Sequence, residues 1–524
     1  MSSTELSVIE ENITIARPLH ELVRSDNGND ENLNDVEKSE LRELKQNIID
    51  LHPFNNDTTV DKFHLAYGAR DFHYVEDHQN GRWIYNNGVK HQFDSTTHAF
   101  IKRCFRELSQ FIRMIVIELR NGDNPPAQSV LTSINSLATK CGSNAFINQC
   151  LELYKTNYGV TVKLTDLDNH PVLLGVTNGV VDLDKGELMD GYDPRLLVTK
   201  CTGVKFNPEA KPYREEIVEH MEKYSNSRPD LQEYNDIVNG YALTGLRSEQ
   251  TMYAYIGASG CGKSTTDEAR IQAMGNYGGV MSSDFLLKTK NPDQFELETL
   301  DGKRAVIAEE PNEGQSFDKE RIKSFVGGTS KHARCPYGQF KEIRVDAKLF
   351  LSSNTKPNLN RPDDAIKRRL KIVPCDYSFT SNGTAQIGFD AKLLTPEYQE
   401  GMLLYLVDCA QRYIEQYHSK GKRIQEPSCV TKACNQYFEE EDELKMFLEK
   451  YTRVDPTLKT NGGELYQTYR LWKEDEGAKY IPLSKSFYKM MREDGFETLR
   501  SNGQYYIVGL EEKHGSDVRP VEPS

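Results

Sequence analysis

The feature that most constrains this chain is a glycine-rich segment, GASGCGKST, at residues 257–265. It follows an apolar run, Met252–Ile256, and it precedes a stretch with helical character, Thr266–Gly275. A strand, a tight glycine loop and a helix start in this order turn backbone N–H groups toward a phosphate, with the positive end of the helix behind them. The pattern G-x-x-x-x-G-K-[ST] therefore predicts a nucleoside triphosphate site in an α/β domain.

The loop and the start of the following helix supply the predicted ligands of ATP and Mg²⁺. Lys263 can reach the β- and γ-phosphates, and the Ser264 hydroxyl can coordinate Mg²⁺. Cys261 occupies a position at which the pattern tolerates nearly any side chain, so we assign it no chemical role beyond its place in the loop. The predicted ATP-binding residues are Gly257, Ala258, Ser259, Gly260, Cys261, Gly262, Lys263, Ser264 and Thr265.

Polar residues follow two apolar strands downstream of the loop. Arg304–Ala308 ends at Glu309 and Glu310, and Lys348–Ser353 ends at Asn354. Paired carboxylates at the carboxyl end of a strand suit Mg²⁺ coordination, here by Glu309, and activation of the attacking water. Taken singly, solvated glutamates and a turn-forming asparagine are the alternatives. Their order after the loop favours catalytic roles in hydrolysis, with Asn354 sensing the γ-phosphate.

A short basic run, Lys367-Arg368-Arg369, is predicted to lie on a short helix after these strands. An arginine that projects into the site of a neighbouring subunit can stabilise the charge that develops during phosphoryl transfer. Arg368 or Arg369 is the candidate for this catalytic role, and a solvated basic face is the alternative. The chain contains no N-K-x-D pattern, which disfavours a GTPase.

The bulk composition limits the remaining function classes. A length of 524 residues exceeds what a single core supports, so several domains are expected. A net charge of −14 argues against a nucleic-acid coat over the whole chain, although Lys and Arg outnumber Asp and Glu within residues 319–372. The ten cysteines form no C-x-x-C pair, which favours reduced thiols over a zinc site. The chain also lacks a long apolar run and a signal-peptide pattern, so we expect no membrane partner and a cytoplasmic location.

Local patterns predict the elements around the glycine loop. Turn and hydrophobic signals predict β-hairpins at 83–89 and 178–188, and apolar periodicity predicts helices at 98–120 and 396–418. Residues 211–246 are predicted to be helical. The Ser/Thr/Gly-rich residues 376–394 are predicted to be a linker.

The last part of the chain has the pattern of a winged helix. Helices are predicted at 441–451, 463–477 and 483–495, and strands at 496–500 and 505–508 flank an Asn-Gly turn. The third helix of such a domain enters a DNA major groove. A winged helix that docks a protein remains the alternative, because an acidic run precedes it. The predicted DNA-binding residues of this part are Lys485, Lys489 and Arg492 on the third helix and Arg500 on the wing.

Five motifs, taken in their order along the chain, resemble those of the superfamily 3 helicases of the phage and plasmid primase-helicase type. Poxvirus primase-helicases are relatives of this type. The resemblance continues upstream over 177–250 and downstream over 436–510. The motifs are GASGCGKST, GKRAVIAEEP at 302–311, KSFVGGTSKHARCPYGQF at 323–340, LFLSSNTKP at 349–357 and DDAIKRRLKIVP at 363–374.

The resemblance implies an α/β P-loop ATPase domain of AAA+ type, preceded by an α+β N-terminal region and followed by a C-terminal winged helix. It also implies a ring, usually a hexamer, that moves 3′-to-5′ along a single strand. A hairpin within residues 334–344 would enter the ring channel, where its aromatic residues either stack on bases or pack within the hairpin. The DNA-binding residues implied there are Arg334, Tyr337, Phe340 and Lys341.

The expected organisation follows from these patterns. The expected parts are an acidic flexible arm (1–58), a region preceding the helicase (59–210), the ATPase domain with its helical lead-in (211–380), a helical lid or linker (381–435), the winged helix (436–512) and a tail (513–524).

The expected function is ATP-dependent, ring-forming DNA unwinding during replication initiation of a phage, plasmid or other mobile element. The expected partners are single-stranded DNA, origin duplex DNA, further copies of the chain and a separate primase. A fused primase is not expected, because only about 60 residues precede the matched region. The alternatives are a winged-helix regulator switched by a nucleotide, and a protein-remodelling or packaging ATPase that does not unwind DNA.

Overall fold

The structure is a computed structural model. It describes residues 42, 45–46, 49–50, 56–67, 72–76, 81–287, 299–311, 316–327, 331–334, 340–343, 345–356, 358–359, 362–441, 443–476, 481–501 and 504–513, of which 331–334 and 340–343 are described by their backbone alone. No helix within these residues is both long enough and apolar enough to cross a lipid bilayer.

The N-terminal region is α+β, as predicted. Its strands form a sheet in the order β3-β2-β1-β4, in which β1 and β4 are parallel and the other pairs antiparallel. The predicted hairpin is confirmed, with Gly88 in the left-handed region at its turn. The elements are α1 (Asn56–Tyr67), β1 (His73–Glu76), β2 (Arg82–Asn86), β3 (His91–Phe93), α2 (Ala99–Asn121), α3 (Gln128–Cys141), α4 (Asn144–Asn157) and β4 (Thr161–Lys163).

A small antiparallel sheet and two helices connect this region to the glycine loop. The predicted hairpin at 178–188 is confirmed as the β6–β7 pair, and the predicted helical stretch at 211–246 is confirmed as two helices. The elements are β5 (Leu173–Val176), β6 (Gly179–Asp182), β7 (Glu187–Leu188), α5 (Lys211–Tyr224) and α6 (Pro229–Leu243).

A five-stranded parallel sheet is the centre of the largest hydrophobic core. Its order is β14-β8-β13-β10-β9, and its strands are mostly buried, as expected when helices cover both faces. A separate antiparallel ribbon joins β11 to β12. The elements are β8 (Met252–Ile256), α7 (Lys263–Met274), β9 (Gly278–Met281), β10 (Ala305–Ala308), α8 (Lys319–Val326), β11 (Lys331–Arg334), β12 (Phe340–Ile343), β13 (Lys348–Ser353), α9 (Asp364–Arg369) and β14 (Leu370–Pro374).

The prediction that residues 376–394 form a linker is wrong. The backbone N–H of Phe379 donates to the carbonyl of Gly260 at 2.9 Å, so the segment folds back onto the glycine loop. Its polar composition suits tight turns, while its few aromatic side chains supply the packing. The helices here are α10 (Phe389–Leu393), α11 (Pro396–Tyr413), which continues as a π-helix to His418, and α12 (Ser428–Glu440).

The C-terminal part contains the three predicted helices and both predicted strands, together with a third strand, β15, that the pattern missed. Pro456 lies in β15, where the pairing with β17 shifts register between Val454 and Lys459. Proline is tolerated at such an irregular edge, but in the sequence it suggests a loop. The elements are α13 (Glu443–Tyr451), β15 (Thr452–Asn461), α14 (Gly462–Asp475), α15 (Ser484–Glu493), β16 (Thr498–Ser501) and β17 (Gln504–Glu512), with sheet order β15-β17-β16.

Buried Arg304 fastens the central sheet to the small sheet before it. Its guanidinium donates to the carbonyls of Leu243 at 2.9 Å and Leu173 at 2.6 Å, and it lies 4.4 Å from the ring centroid of Tyr277. Beside it, the buried ammonium of Lys348 donates to the carbonyl of Thr244. Burial lowers the pKa of Lys348 well below its usual value.

We expect Arg304→Ala to destabilise the fold by about 3 kcal/mol, because it leaves several buried carbonyls without a donor. Thermal melting followed by far-UV circular dichroism measures the effect. The control is Arg195→Ala, since Arg195 is solvent-exposed and its ion pair, in the described part of the chain, is with nearby Asp193. Superposed melting curves of the two variants would contradict the assignment.

Candidate functional site

The predicted site residues meet at the carboxyl edge of the parallel sheet. The glycine loop follows β8, Asn354 follows β13, and Glu309 and Glu310 follow β10. Because β13 pairs with β8 on one side and β10 on the other, the three strand ends are neighbours. In open α/β sheets, ligands bind at this edge.

Three glycines of the loop are required by its geometry. Gly260 and Gly262 have φ angles of +82° and +77°, which L side chains rarely adopt. Gly257 has an ordinary φ angle, but a Cβ there would lie 2.2 Å from the carbonyl oxygen of Cys375. The loop therefore packs against the end of β14 and turns directly into α7, whose first-turn N–H groups have no acceptors within the helix.

Lys263 joins the glycine loop to Asn354. Its buried ammonium donates to the carbonyls of Gly257 at 2.7 Å and Ala258 at 3.0 Å, and to Oδ1 of Asn354 at 3.1 Å. The structure therefore brings together a lysine and an asparagine that lie 91 residues apart in the chain.

The two glutamates have different environments. Glu310 Oε1 accepts hydrogen bonds from the Ser353 hydroxyl and from the backbone N–H of Asn354, both at 2.7 Å. Glu309 donates its backbone N–H to the carbonyl of Met281 at 3.0 Å, and its side chain is exposed. Both residues are exposed, but the two hydrogen bonds hold the carboxylate of Glu310 against the end of β13. The supporting role of Ser353 was not predicted.

The donor set fits Mg²⁺ bound together with a nucleotide. Ser264, on the first turn of α7, and Glu309 are both exposed and offer hard oxygen ligands. Within the described residues, no group of three or more His, Cys, Asp or Glu side chains is arranged to hold a metal ion. Mg²⁺ needs no such group, because it keeps several waters and uses one or two protein oxygens besides the phosphates.

The two candidate arginines differ in exposure. Both lie on α9, which Asp363 caps by accepting the backbone N–H of Ile366 at 2.9 Å. Arg369 is half-buried and donates to the carbonyl of Ala365 at 3.0 Å, whereas Arg368 is exposed. In the described part of the chain, neither guanidinium bonds to the glycine loop of its own subunit.

A cavity of about 300 Å³ lies beside the glycine loop, and the sequence analysis missed it. It is bounded by α5, the loop, and the folded-back segment that ends in α10. His220 and Phe379 stack in its wall, with ring centroids 5.0 Å apart and an interplanar angle of 18°, and Phe389 lies 5.1 Å from His220. No sequence signal marks His220, because only the fold places α5 over the loop.

His220 is held as a neutral ring. Its Nε2 lies 2.9 Å from the Thr266 hydroxyl on α7, and burial lowers its pKa to about 4. An uncharged imidazole at neutral pH provides a flat stacking surface. Cys261 is also buried, and its thiol donates to the carbonyl of Cys375 at 3.1 Å. Burial raises the pKa of the Cys261 thiol, in keeping with a packing position.

The predicted DNA-binding residues are described to different extents. In the β11–β12 ribbon, Arg334 pairs with Phe340 and Ala333 with Lys341, while Tyr337 and the side chains of the other three lie outside the described residues. In the C-terminal part, Lys485, Lys489 and Arg492 are exposed on α15. Arg492 also donates to the Thr498 hydroxyl at 3.3 Å, and Arg500 lies 5.7 Å from the ring centroid of Tyr505. These seven residues and Tyr337 stay predictions.

Two family models match the chain. Residues 61–224 match the family described as "D5 N terminal like", and residues 255–369 match a family of unknown function. The first stretch covers most of the α+β region and α5, and the second extends from the end of β8 to α9, with the glycine loop, the glutamates and Asn354.

Related proteins are viral. A protein named putative helicase from Acanthamoeba polyphaga mimivirus is 26% identical over 390 residues, which are 68% of this chain and 38% of the relative. The protein named primase D5 of Fowlpox virus (strain NVSL) is 25% identical over 233 residues, which are 41% of this chain and 29% of the relative. The chain therefore spans less than half the length of these relatives.

Among solved structures, the C-terminal region of NrS-1 covers 84% of this chain and 96% of its own length, with 10% identity and a TM-score of 0.40. The family match over the N-terminal region and the viral relatives agree with the motif order around the glycine loop. The chain is thus similar to the D5 N-terminal-like family over residues 61–224 and to viral proteins named putative helicase and primase D5.

Proposed function

We propose that this chain is an ATP-dependent DNA helicase that acts in the replication of a virus, plasmid or other mobile element. The observation that carries the proposal is the convergence of Lys263, Asn354 and Glu310 at neighbouring strand ends, through hydrogen bonds of 2.7–3.1 Å. The parallel sheet with a glycine loop after β8 supports an AAA+-like P-loop ATPase of superfamily 3.

The geometry supports a separate role for each of these residues in ATP hydrolysis. Lys263 exchanges its carbonyl partners for β- and γ-phosphate oxygens, and Asn354 contacts the γ-phosphate beside it. Glu310, held by Ser353, accepts a proton from the water that attacks the γ-phosphorus. Ser264 and Glu309 would hold Mg²⁺, which would neutralise charge on the phosphates.

The cavity beside the loop supports a site for the nucleoside. A volume of about 300 Å³ is at the lower end of small-ligand pockets, and its wall combines the stacked rings with polar side chains such as Gln386 and Asp390. A base inserted there would contact an aromatic face while the loop held the phosphates. The folded-back segment then acts as a lid that is part of the nucleotide site.

The exposed parts of the chain support the DNA and subunit contacts of the proposal. The exposed Arg368 is the better candidate for a finger into the neighbouring site of a ring, for which a hexamer is proposed from the resemblance. The β11–β12 ribbon is proposed as the hairpin that grips one strand in the channel. The helices α13–α15 with the β15-β17-β16 sheet are proposed as a winged helix that contacts origin duplex.

Lys263→Ala should abolish ATP turnover, because it removes the cation placed for the phosphates. Glu310→Gln should retain ATP binding and lose at least about a hundredfold in turnover, because the amide cannot accept the proton. Phosphate release measures turnover, and a fluorescent ATP analogue measures binding. Near-normal ATP turnover in purified Lys263→Ala would contradict the assignment of the site. The control is Lys185→Ala, which changes an exposed side chain and should leave ATP turnover at the parent level.

Arg368→Ala and Lys263→Ala should each be inactive alone but should regain ATP turnover when mixed. A mixed ring contains interfaces with an intact loop on one side and an intact arginine on the other. Arg369→Ala serves as the comparison, since that side chain bonds within its own helix. Assembly is verified by light scattering, and a mixture that assembles yet shows no rescue would count against the finger in trans.

Phe379→Ala should weaken ATP binding by about tenfold, since it removes one aromatic face of the cavity, while turnover at saturating ATP changes little. The measurement is KM against kcat, and the control is Tyr505→Ala, an exposed aromatic side chain that does not line the cavity. A fall in kcat at unchanged KM would contradict a role in holding the base.

A further inference from the structure

An arginine-rich row runs along the exposed side of α2, far in sequence from the glycine loop. Its members are spaced three and four residues apart, so they lie on one face of the helix. The opposite face is buried, with Phe105, Leu108 and Ile112 in the N-terminal core. The exposed row consists of Arg103, Arg106, Gln110, Arg113, Ile117 and Arg120.

Three of these arginines lack nearby carboxylates. Within the described residues, no acidic side chain lies within 4.0 Å of Arg106, Arg113 or Arg120, while Arg103 lies 3.8 Å from Glu107. The two acids of α2 are engaged on its other flank. Glu107 accepts from the Tyr67 hydroxyl at 3.2 Å, and Glu118 pairs with Lys45 at 2.8 Å.

The neighbouring helix α3 extends this surface without adding acidic groups. It is antiparallel to α2, because Ser109 donates to the carbonyl of Ala138 near the end of α3 at 2.5 Å, while Arg106, earlier in α2, donates at 2.9 Å to Oδ1 of Asn144, the first residue of the following helix α4. Ser109 lies on the flank of α2 next to the arginines, so α3 borders the row. Its exposed side chains are Gln128, Ser129, Thr132, Ser133, Asn135, Ser136, Thr139 and Lys140.

The absence of acids is unusual for this chain. Residues 124–151 contain no Asp or Glu, whereas the chain average of 79 acidic residues in 524 would place about four in 28 residues. An acidic protein that keeps one surface poor in carboxylates, and rich in arginine, hydroxyl and amide groups, presents the donors that phosphate oxygens accept.

The spacing of the arginines points to an extended polyanion. At a rise of 1.5 Å per residue, Arg106, Arg113 and Arg120 lie at intervals of about 10 Å, and the row spans about 25 Å. They are exposed along one helix face, so at this spacing a single small phosphate compound would contact one arginine at a time. Ile117, 60% exposed within the row, offers an apolar contact of the kind a sugar or base can meet.

We infer that the exposed faces of α2 and α3, in the D5 N-terminal-like region, bind the sugar–phosphate backbone of nucleic acid without reading base sequence. This surface is separate from the ribbon and the C-terminal residues proposed above, and it does not depend on ATP hydrolysis.

The test is the triple variant Arg106→Ala, Arg113→Ala and Arg120→Ala in the full chain. Fluorescence anisotropy with labelled oligo(dT) and with a mixed-sequence duplex measures affinity from 50 to 200 mM salt. We expect binding to weaken about tenfold or more. The slope of log K against log salt should become shallower by about two if the site takes a single strand and by nearly three if it takes a duplex.

The matched control removes three charges elsewhere, by Lys185→Ala, Lys420→Ala and Lys422→Ala. The inference would be overturned if the triple arginine variant and this control had the same DNA affinity and the same salt slope. It would also be overturned by unchanged DNA binding with altered assembly by light scattering, which would make the surface a contact between copies of the chain. ATP turnover of the triple arginine variant without DNA should stay at the parent level. A failure of the proposed ATP site would instead be detected with Lys263→Ala, so the two failures can be told apart.

Discussion

The parallel pairing of β13 between β8 and β10 is the constraint on which the site depends. Ser353 is paired with Ile256, and Leu351 with Ala308, so the residues that follow these strands emerge side by side. The hydrogen bond of Lys263 to Asn354 and that of Glu310 to the backbone of Asn354 both cross these pairings. A change of register in either pair would separate the groups by a residue and reverse their faces.

A buried polar network under the sheet fixes α7 relative to β13. Asp267 accepts hydrogen bonds at 2.5 Å from Ser352 and from Arg270, and Arg270 donates onward to Asn239 at 2.8 Å. Burial raises the pKa of Asp267. A buried ion pair of this kind contributes little net stability, but removing one of its partners is strongly destabilising. The pair therefore fixes the relative position of two elements more than it stabilises the fold. Here the network holds the helix that begins at Lys263 against the strand that ends at Asn354.

The C-terminal part is joined to the same edge of the sheet. Lys356, two residues after Asn354, pairs with Glu440 at 2.5 Å, and the backbone N–H of Leu359 donates to Glu441 at 2.9 Å. These carboxylates end α12 and lead into α13. The segment after Asn354 therefore contacts the carboxylates at the end of α12, just before α13 begins.

The sequence by itself determined the local features: the glycine loop, the strands that end at Glu309 and Asn354, and the amphipathic helices, because their patterns are read within a few residues. Only the tertiary structure decided the strand order, the stacking of His220 on Phe379 and the folding of residues 376–394 over Gly260. The same holds for β15, because its pairing with β17 places Pro456 at an irregular edge. These features depend on contacts between residues far apart in the chain, whose free energy comes from packing and burial and leaves no periodic signal in the local sequence.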